Sequence, residues 1–118
     1  MSTQIQGYTG MNIDGLVTMQ TGALTSLSLA ADRTLTATEA VNGILAVSTG
    51  HASNSIIIPA AVAATLKDKL YIVVNGDAAL AANIKVAGGT AVTIAATKTA
   101  IVRINSTGAE IARVTTDA

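Results

Sequence analysis

Leu70-Tyr71-Ile72-Val73-Val74 is the stretch that decides the fold. It is an unbroken apolar run too short for a stable helix, rich in β-branched side chains, and it stops at Asn75-Gly76-Asp77, a strong turn signal. A run with no polar alternation reads as a strand buried on both faces. Ser55-Ile56-Ile57-Ile58 has the same character and is closed by Pro59, the one proline of the chain. Proline cannot donate to a ladder, so it marks the end of that strand. The two runs are expected to be central strands.

Working outward, Ile84 and Val86 alternate with Asn83 and Lys85, and Gly88-Gly89 turns the chain into Val92-Thr93-Ile94. Ile101-Val102-Arg103-Ile104 follows, then the turn Asn105-Ser106-Thr107-Gly108, then Ile111 and Val114 in a last strand. Toward the N-terminus, Gly43 to Thr49 reads as a strand, and Leu27 and Leu29 alternate with Ser26 and Ser28. Short strands at a spacing of about 8–12 residues indicate an all-β sandwich or barrel. Ala37 to Val41 and Ala60 to Leu66 are alanine-rich, so one or two short helical turns are allowed at most. No convincing internal repeat is seen.

Residues 1–24 differ from the rest. Gly7, Gly10, Gly15 and Gly22 are interspersed with Ile5, Tyr8, Met11, Ile13, Leu16 and Met19, and neither a helical nor a strand period is sustained. This is the pattern of an extended arm, and the apolar residues are more than a merely disordered terminus would carry. The expected organisation is therefore an arm over 1–24 and a β-sandwich over 25–118. The six apolar residues of the arm are the candidate contacts to another chain, with packing on its own domain or a loose terminus as the alternatives.

Composition narrows the function. Half of the 118 residues are hydrophobic, yet 23 of these are alanine, and there is no Trp, Phe or Cys. The core is expected to be a thin layer of Ile, Val and Leu. Seven basic and seven acidic residues cancel, leaving no basic field to attract nucleic acid or an anionic membrane. Without cysteine there is neither a disulfide nor a thiolate metal site. The N-terminus has no basic region followed by an apolar stretch, and no apolar run is long enough to span a bilayer, so a soluble, non-secreted protein is expected.

The catalytic inventory is short. His51 is the single histidine and sits in the turn Thr49 to Asn54, with nothing like a nucleophile elbow around Ser53 or Ser55. The carboxylates Asp14, Asp32, Glu39, Asp68, Asp77, Glu110 and Asp117 are scattered singly, and Ala87-Gly88-Gly89-Thr90 lacks the lysine of a phosphate loop. Neither an enzyme nor a metal or cofactor site is expected. Arg33, Arg103 and Arg113 are too sparse for a nucleic-acid patch; they fit ion pairs on the surface or with a neighbouring chain. Charged residues make up only 12% of the chain while threonine is frequent, so much of the surface is expected to be covered by partners, in a homo-oligomer.

The ordered series Ala31-Asp32-Arg33-Thr34-Leu35-Thr36-Ala37-Thr38-Glu39-Ala40, Gly43-Ile44-Leu45, Ser55-Ile56-Ile57-Ile58-Pro59, Leu70 to Asn75, Ile84 to Gly89 and Val92-Thr93-Ile94-Ala95 resembles a β-rich module of tailed-bacteriophage virion proteins. That module occurs in capsid decoration (cement) proteins, head fibres and some tail-fibre segments. The resemblance covers roughly residues 29 to 115. It departs at Asn105 to Gly108, where the family often has an Asp-Gly turn. The resemblance implies a jelly-roll-like antiparallel sandwich and a homotrimer seated on the major capsid protein. It also implies a place on the capsid surface of a virion after synthesis in the host cytoplasm, and a mechanical role with no reaction. The alternative is a head-fibre or tail-fibre module that binds host surface glycan, against which the scarcity of aromatic side chains counts.

Overall fold

The computed structural model describes residues 22–118. The chain forms β1 (Ala23–Ser28), β2 (Arg33–Thr34), α1 (Ala37–Ala40), β3 (Ile44–Thr49), β4 (Ser55–Ile58), α2 (Ala60–Ala63), β5 (Leu70–Asn75), β6 (Ala82–Val86), β7 (Val92–Ile94), β8 (Thr99–Ile104) and β9 (Ile111–Arg113). Ala23 and Leu24, counted with the arm from sequence, thus belong to the first strand. The expectation of an all-β body with no more than two helical turns agrees with the structure. α1 begins where Thr36 and Glu39 form a reciprocal capping box, the Thr36 hydroxyl accepting from the Glu39 N–H and the Glu39 carboxylate from the Thr36 N–H. α2 follows directly on Pro59, whose carbonyl accepts from the Ala63 N–H.

The strands make two sheets, one in the order β1-β3-β5-β8-β9 and the other in the order β2-β4-β6-β7. The purely antiparallel pairing of a jelly roll is not found. β1, β3 and β5 run parallel, with Ala23, Ile44 and Ile72 in register, and β2, β4 and β6 run parallel, with Arg33, Ile56 and Ile84 in register. The reason is the path of the chain. Each strand of the first sheet passes to the second and back, so successive strands of one sheet enter from the same end. Three such coils stack, and the antiparallel strands β7, β8 and β9 close the body. The β6–β7 connection is the expected glycine hairpin: the Gly89 N–H reaches the Val86 carbonyl at 2.8 Å and Gly88 has φ +83°.

The core lies between the sheets. Leu45, Val47, Tyr71, Val73, Val102 and Ile104 point inward from one sheet toward Ile56, Ile58, Ile84, Val86 and Ile94 of the other. Tyr71 is the one aromatic side chain in this layer, and its hydroxyl donates to the Ala40 carbonyl at 2.6 Å, tying α1 to the central strand. Two buried asparagines close the ends of the coil. The Asn75 amide nitrogen donates to the carbonyls of Leu80, Ile94 and Ala95, and that of Asn83 to the carbonyls of His51, Ala52 and Asn54. Buried amides satisfied in this way fix where the connections cross from sheet to sheet.

Candidate assembly surface

The side chains that alternate away from the core on the five-stranded sheet are largely apolar. The register aligns Ala23, Ile44, Ile72 and Ile101 in one row, and Val114 follows beyond Ile101, whose carbonyl accepts the Val114 N–H. A second row is Ala46, Val74 and Thr99, and a third is Leu70, Arg103 and Ala112. Ile44, Ile72, Val74 and Ile101 are half-buried, while Leu70 and Val114 are 44% and 51% exposed. A shallow groove of about 350 Å³ runs beside β8, lined by Thr99, Ala100, Ile101, Thr115, Thr116 and Ala118. β5 was expected to be buried on both faces; within one chain only its inner face is covered.

The opposite side of the molecule is different. By register, Thr34, Ile57 and Lys85 face away from the core on the four-stranded sheet, as do Ser55, Asn83 and Thr93; of these Ser55 and Asn83 are buried, and the Thr93 hydroxyl donates to the Asn83 side-chain oxygen at 2.7 Å. That face satisfies its polar groups internally and presents a lysine to water. Only the five-stranded sheet has an apolar outer face of this extent among the described residues.

Charge is spent within the chain. Arg33 pairs with Glu39 at 2.6 Å, Arg103 with Asp68 at 3.1 Å and Arg113 with Asp117 at 2.7 Å. Arg113 also donates to the Thr93 carbonyl, joining the two sheets at their closed end. These partners account for the three arginines within the chain. The Arg33 side chain, together with the Thr36 N–H, holds the Glu39 carboxyl at about 2. Backbone N–H groups of Ala79, Gly50 and Leu80 converge on Asp77 and lower its pKa, so this carboxylate organises the loop that ends in exposed Leu80. The Ala95 N–H, with Arg113, does the same for Asp117.

His51 has a structural task. Its Nδ1 accepts from the N–H groups of Ser53 and Asn54 at 3.0 and 3.2 Å, so that nitrogen is engaged in shaping the turn. Among the described residues, no three His, Cys, Asp or Glu side chains converge as a metal site would require. No described helix is long and apolar enough to cross a membrane.

The contacts expected from sequence, Ile5, Tyr8, Met11, Ile13, Leu16 and Met19, lie outside the described residues. The surface residues that sequence reading missed are Ile44, Ile72, Val74 and Ile101, because an apolar residue in a strand is ordinarily assigned to the core. The signal was present in the unbroken run at β5, which demands cover on two sides. Comparison of the chain with family models, with curated proteins and with solved structures found no match.

Proposed function

We propose that this chain is a virion structural protein of the capsid-decoration (cement) type, which assembles as a homotrimer, binds the major capsid protein and acts mechanically. The observation that carries the assembly part is the half-exposed apolar ladder Ile44, Ile72 and Ile101 on the outer face of the five-stranded sheet. An isolated domain gains nothing by leaving such a row in water, and burying it against protein stabilises at about 25 cal/mol per Å² of apolar area. The virion part rests on the resemblance of the ordered strand and turn motifs to phage decoration and fibre modules. The reading does not need the jelly-roll order of that family. Shell stapling requires a rigid two-sheet body with an adhesive face, and mixed pairing supplies that equally well.

The test has two steps. Light scattering on the purified protein should give the mass of three chains; a clean monomer at micromolar concentration would remove the trimer. Co-sedimentation with purified phage capsids that lack the protein should then show saturable binding and a higher capsid melting temperature. Absence of capsid binding together with reproducible hits on a glycan array would transfer the protein to the fibre reading.

A further inference from the structure

We propose that the outer face of the five-stranded sheet is the seat of residues 1–21 of a neighbouring copy, so that assembling protomers exchange their N-terminal segments. This rests on the assembly reading above and adds what the apolar face holds.

The first argument is area. Four strand spacings of ~4.8 Å by six residues at ~3.3 Å make a face of about 400 Å². A stable interface buries about 800 Å² of accessible surface per partner, so flat contact between two faces of so small a footprint is at best a small interface. A segment laid across the face adds its own two sides to the buried surface.

Length and entry point supply the second argument. The segment joins the body at Gly22, whose carbonyl accepts from the Gly43 and Ile44 N–H groups at 2.9 and 3.2 Å. It is therefore delivered at the rim of the face, beside the first residues of the Ala23, Ile44, Ile72, Ile101 row. Extended at ~3.3 Å per residue, Ile5 to Met19 spans about 46 Å. The sheet from β1 to β9 is only about 19 Å wide at ~4.8 Å per strand. The apolar anchors outrun their own face more than twofold, a length sufficient to reach a second copy. Giving a segment to one neighbour and receiving one from another is a head-to-tail contact, and three copies close it into a ring.

Chemistry agrees. Asp14 is the one charged side chain in residues 1–21. Arg103 is the one charged side chain in the three rows of the face, and it is already paired with Asp68. The face thus offers no unpaired charge to desolvate, and the segment brings a single one, Asp14, to be kept at the edge of the contact.

The absence of native cysteine makes the test direct, because introduced thiols report alone. Gln6→Cys, Asn12→Cys and Thr18→Cys, each co-expressed with Thr116→Cys beside the groove, are oxidised and digested, and the linked peptides are identified by mass. The expected result is a disulfide between a segment cysteine and Cys from Thr116→Cys in the mixed pair, shifting the product to the mass of two chains under denaturing conditions. Thr34→Cys on the opposite sheet serves as the control and should link to none of them. If chains made to carry Thr116→Cys together with Gln6→Cys, Asn12→Cys or Thr18→Cys instead close within one chain while the mixed pairs stay unlinked, the segment lies on its own face and the exchange is overturned. If no link forms in an oligomer that light scattering still shows intact, the seat is overturned and the assembly reading stands. A monomer by light scattering overturns both.

Discussion

Ile44 and Ile72 are register partners on adjacent parallel strands, and both turn their side chains away from the core to stand half-exposed side by side. On the other flank of Ile72 stands Ile101, paired antiparallel. The middle of the sheet is thus as apolar outside as inside.

A lysine at position 72 tests whether that face mediates assembly. Ile72→Lys keeps an aliphatic stem along the ladder and lifts its charge into water, so the fold should lose only about 1 kcal/mol, as an average point substitution does. The oligomer should dissociate, because in an interface the same charge is buried without a partner. Circular dichroism, urea unfolding and light scattering on one sample separate the two effects.

Tyr71→Phe removes the hydroxyl that donates to the Ala40 carbonyl and leaves that acceptor buried without its partner. The expected cost is about 1–3 kcal/mol in urea unfolding. Burial also pushes the Tyr71 pKa well above its ordinary value. The stability held by the neutral phenol is therefore complete below the unfolded-chain value of about 10 and is lost as pH rises above it. In an alkaline titration followed by phenolate absorbance, Tyr71 should ionise only as the protein unfolds.

Glu39 governs the acid side. Its carboxyl is held at about 2, against an ordinary 4.5, first by the Arg33 side chain and then by the Thr36 N–H. A depressed folded value means that the contribution is present above the unfolded value and is lost as pH falls toward the folded one. Glu39→Gln should therefore flatten part of the fall in stability between about pH 4.5 and pH 2. Urea midpoints of the variant and the parent, measured across that range, should converge as the pH drops.

Gly50 has no room for a methyl group. A Cβ there would meet the Ala81 carbonyl oxygen at 2.4 Å and the Leu80 carbonyl oxygen at 2.7 Å, both of them backbone. Gly50→Ala should cost about 1–3 kcal/mol through forced displacement of that loop. At Gly88 the strain is of another kind: φ is +83° and nothing lies within 4 Å, so Gly88→Ala should cost only the left-handed penalty of about 1–2 kcal/mol. Thermal melts of the two variants should rank them in that order or near one another. A neutral Gly50→Ala would mean that the close approach at this corner is relieved cheaply.

Most strands were legible because inward alternation is written locally. Leu45 and Val47, Tyr71 and Val73, and Ile84 and Val86 each mark a buried face, and Gly88-Gly89 and Asn105 to Gly108 mark turns. α1 was visible as an alanine-rich patch, although its capping pair, Thr36 and Glu39, is the sharper signal. The roles of Asn75 and Asn83 were not legible. An asparagine at the end of a strand reads as a turn residue, and only the converging carbonyls of Leu80, Ile94 and Ala95 make Asn75 an internal staple.

By itself the sequence determined that this chain is built of short strands around a thin, nearly aromatic-free layer, since side-chain period and turn chemistry are properties of each segment alone. Only the tertiary structure decided that Ile44 lies parallel to Ile72 and that Ile72 stands half-buried on the outer face. Strand direction is set by connections that cross from one sheet to the other. The exposure of an apolar residue is set by which layers the chain has available to place over it. Neither is a local quantity, which is why an unbroken run that looked like the centre of the molecule lies with one face on its surface.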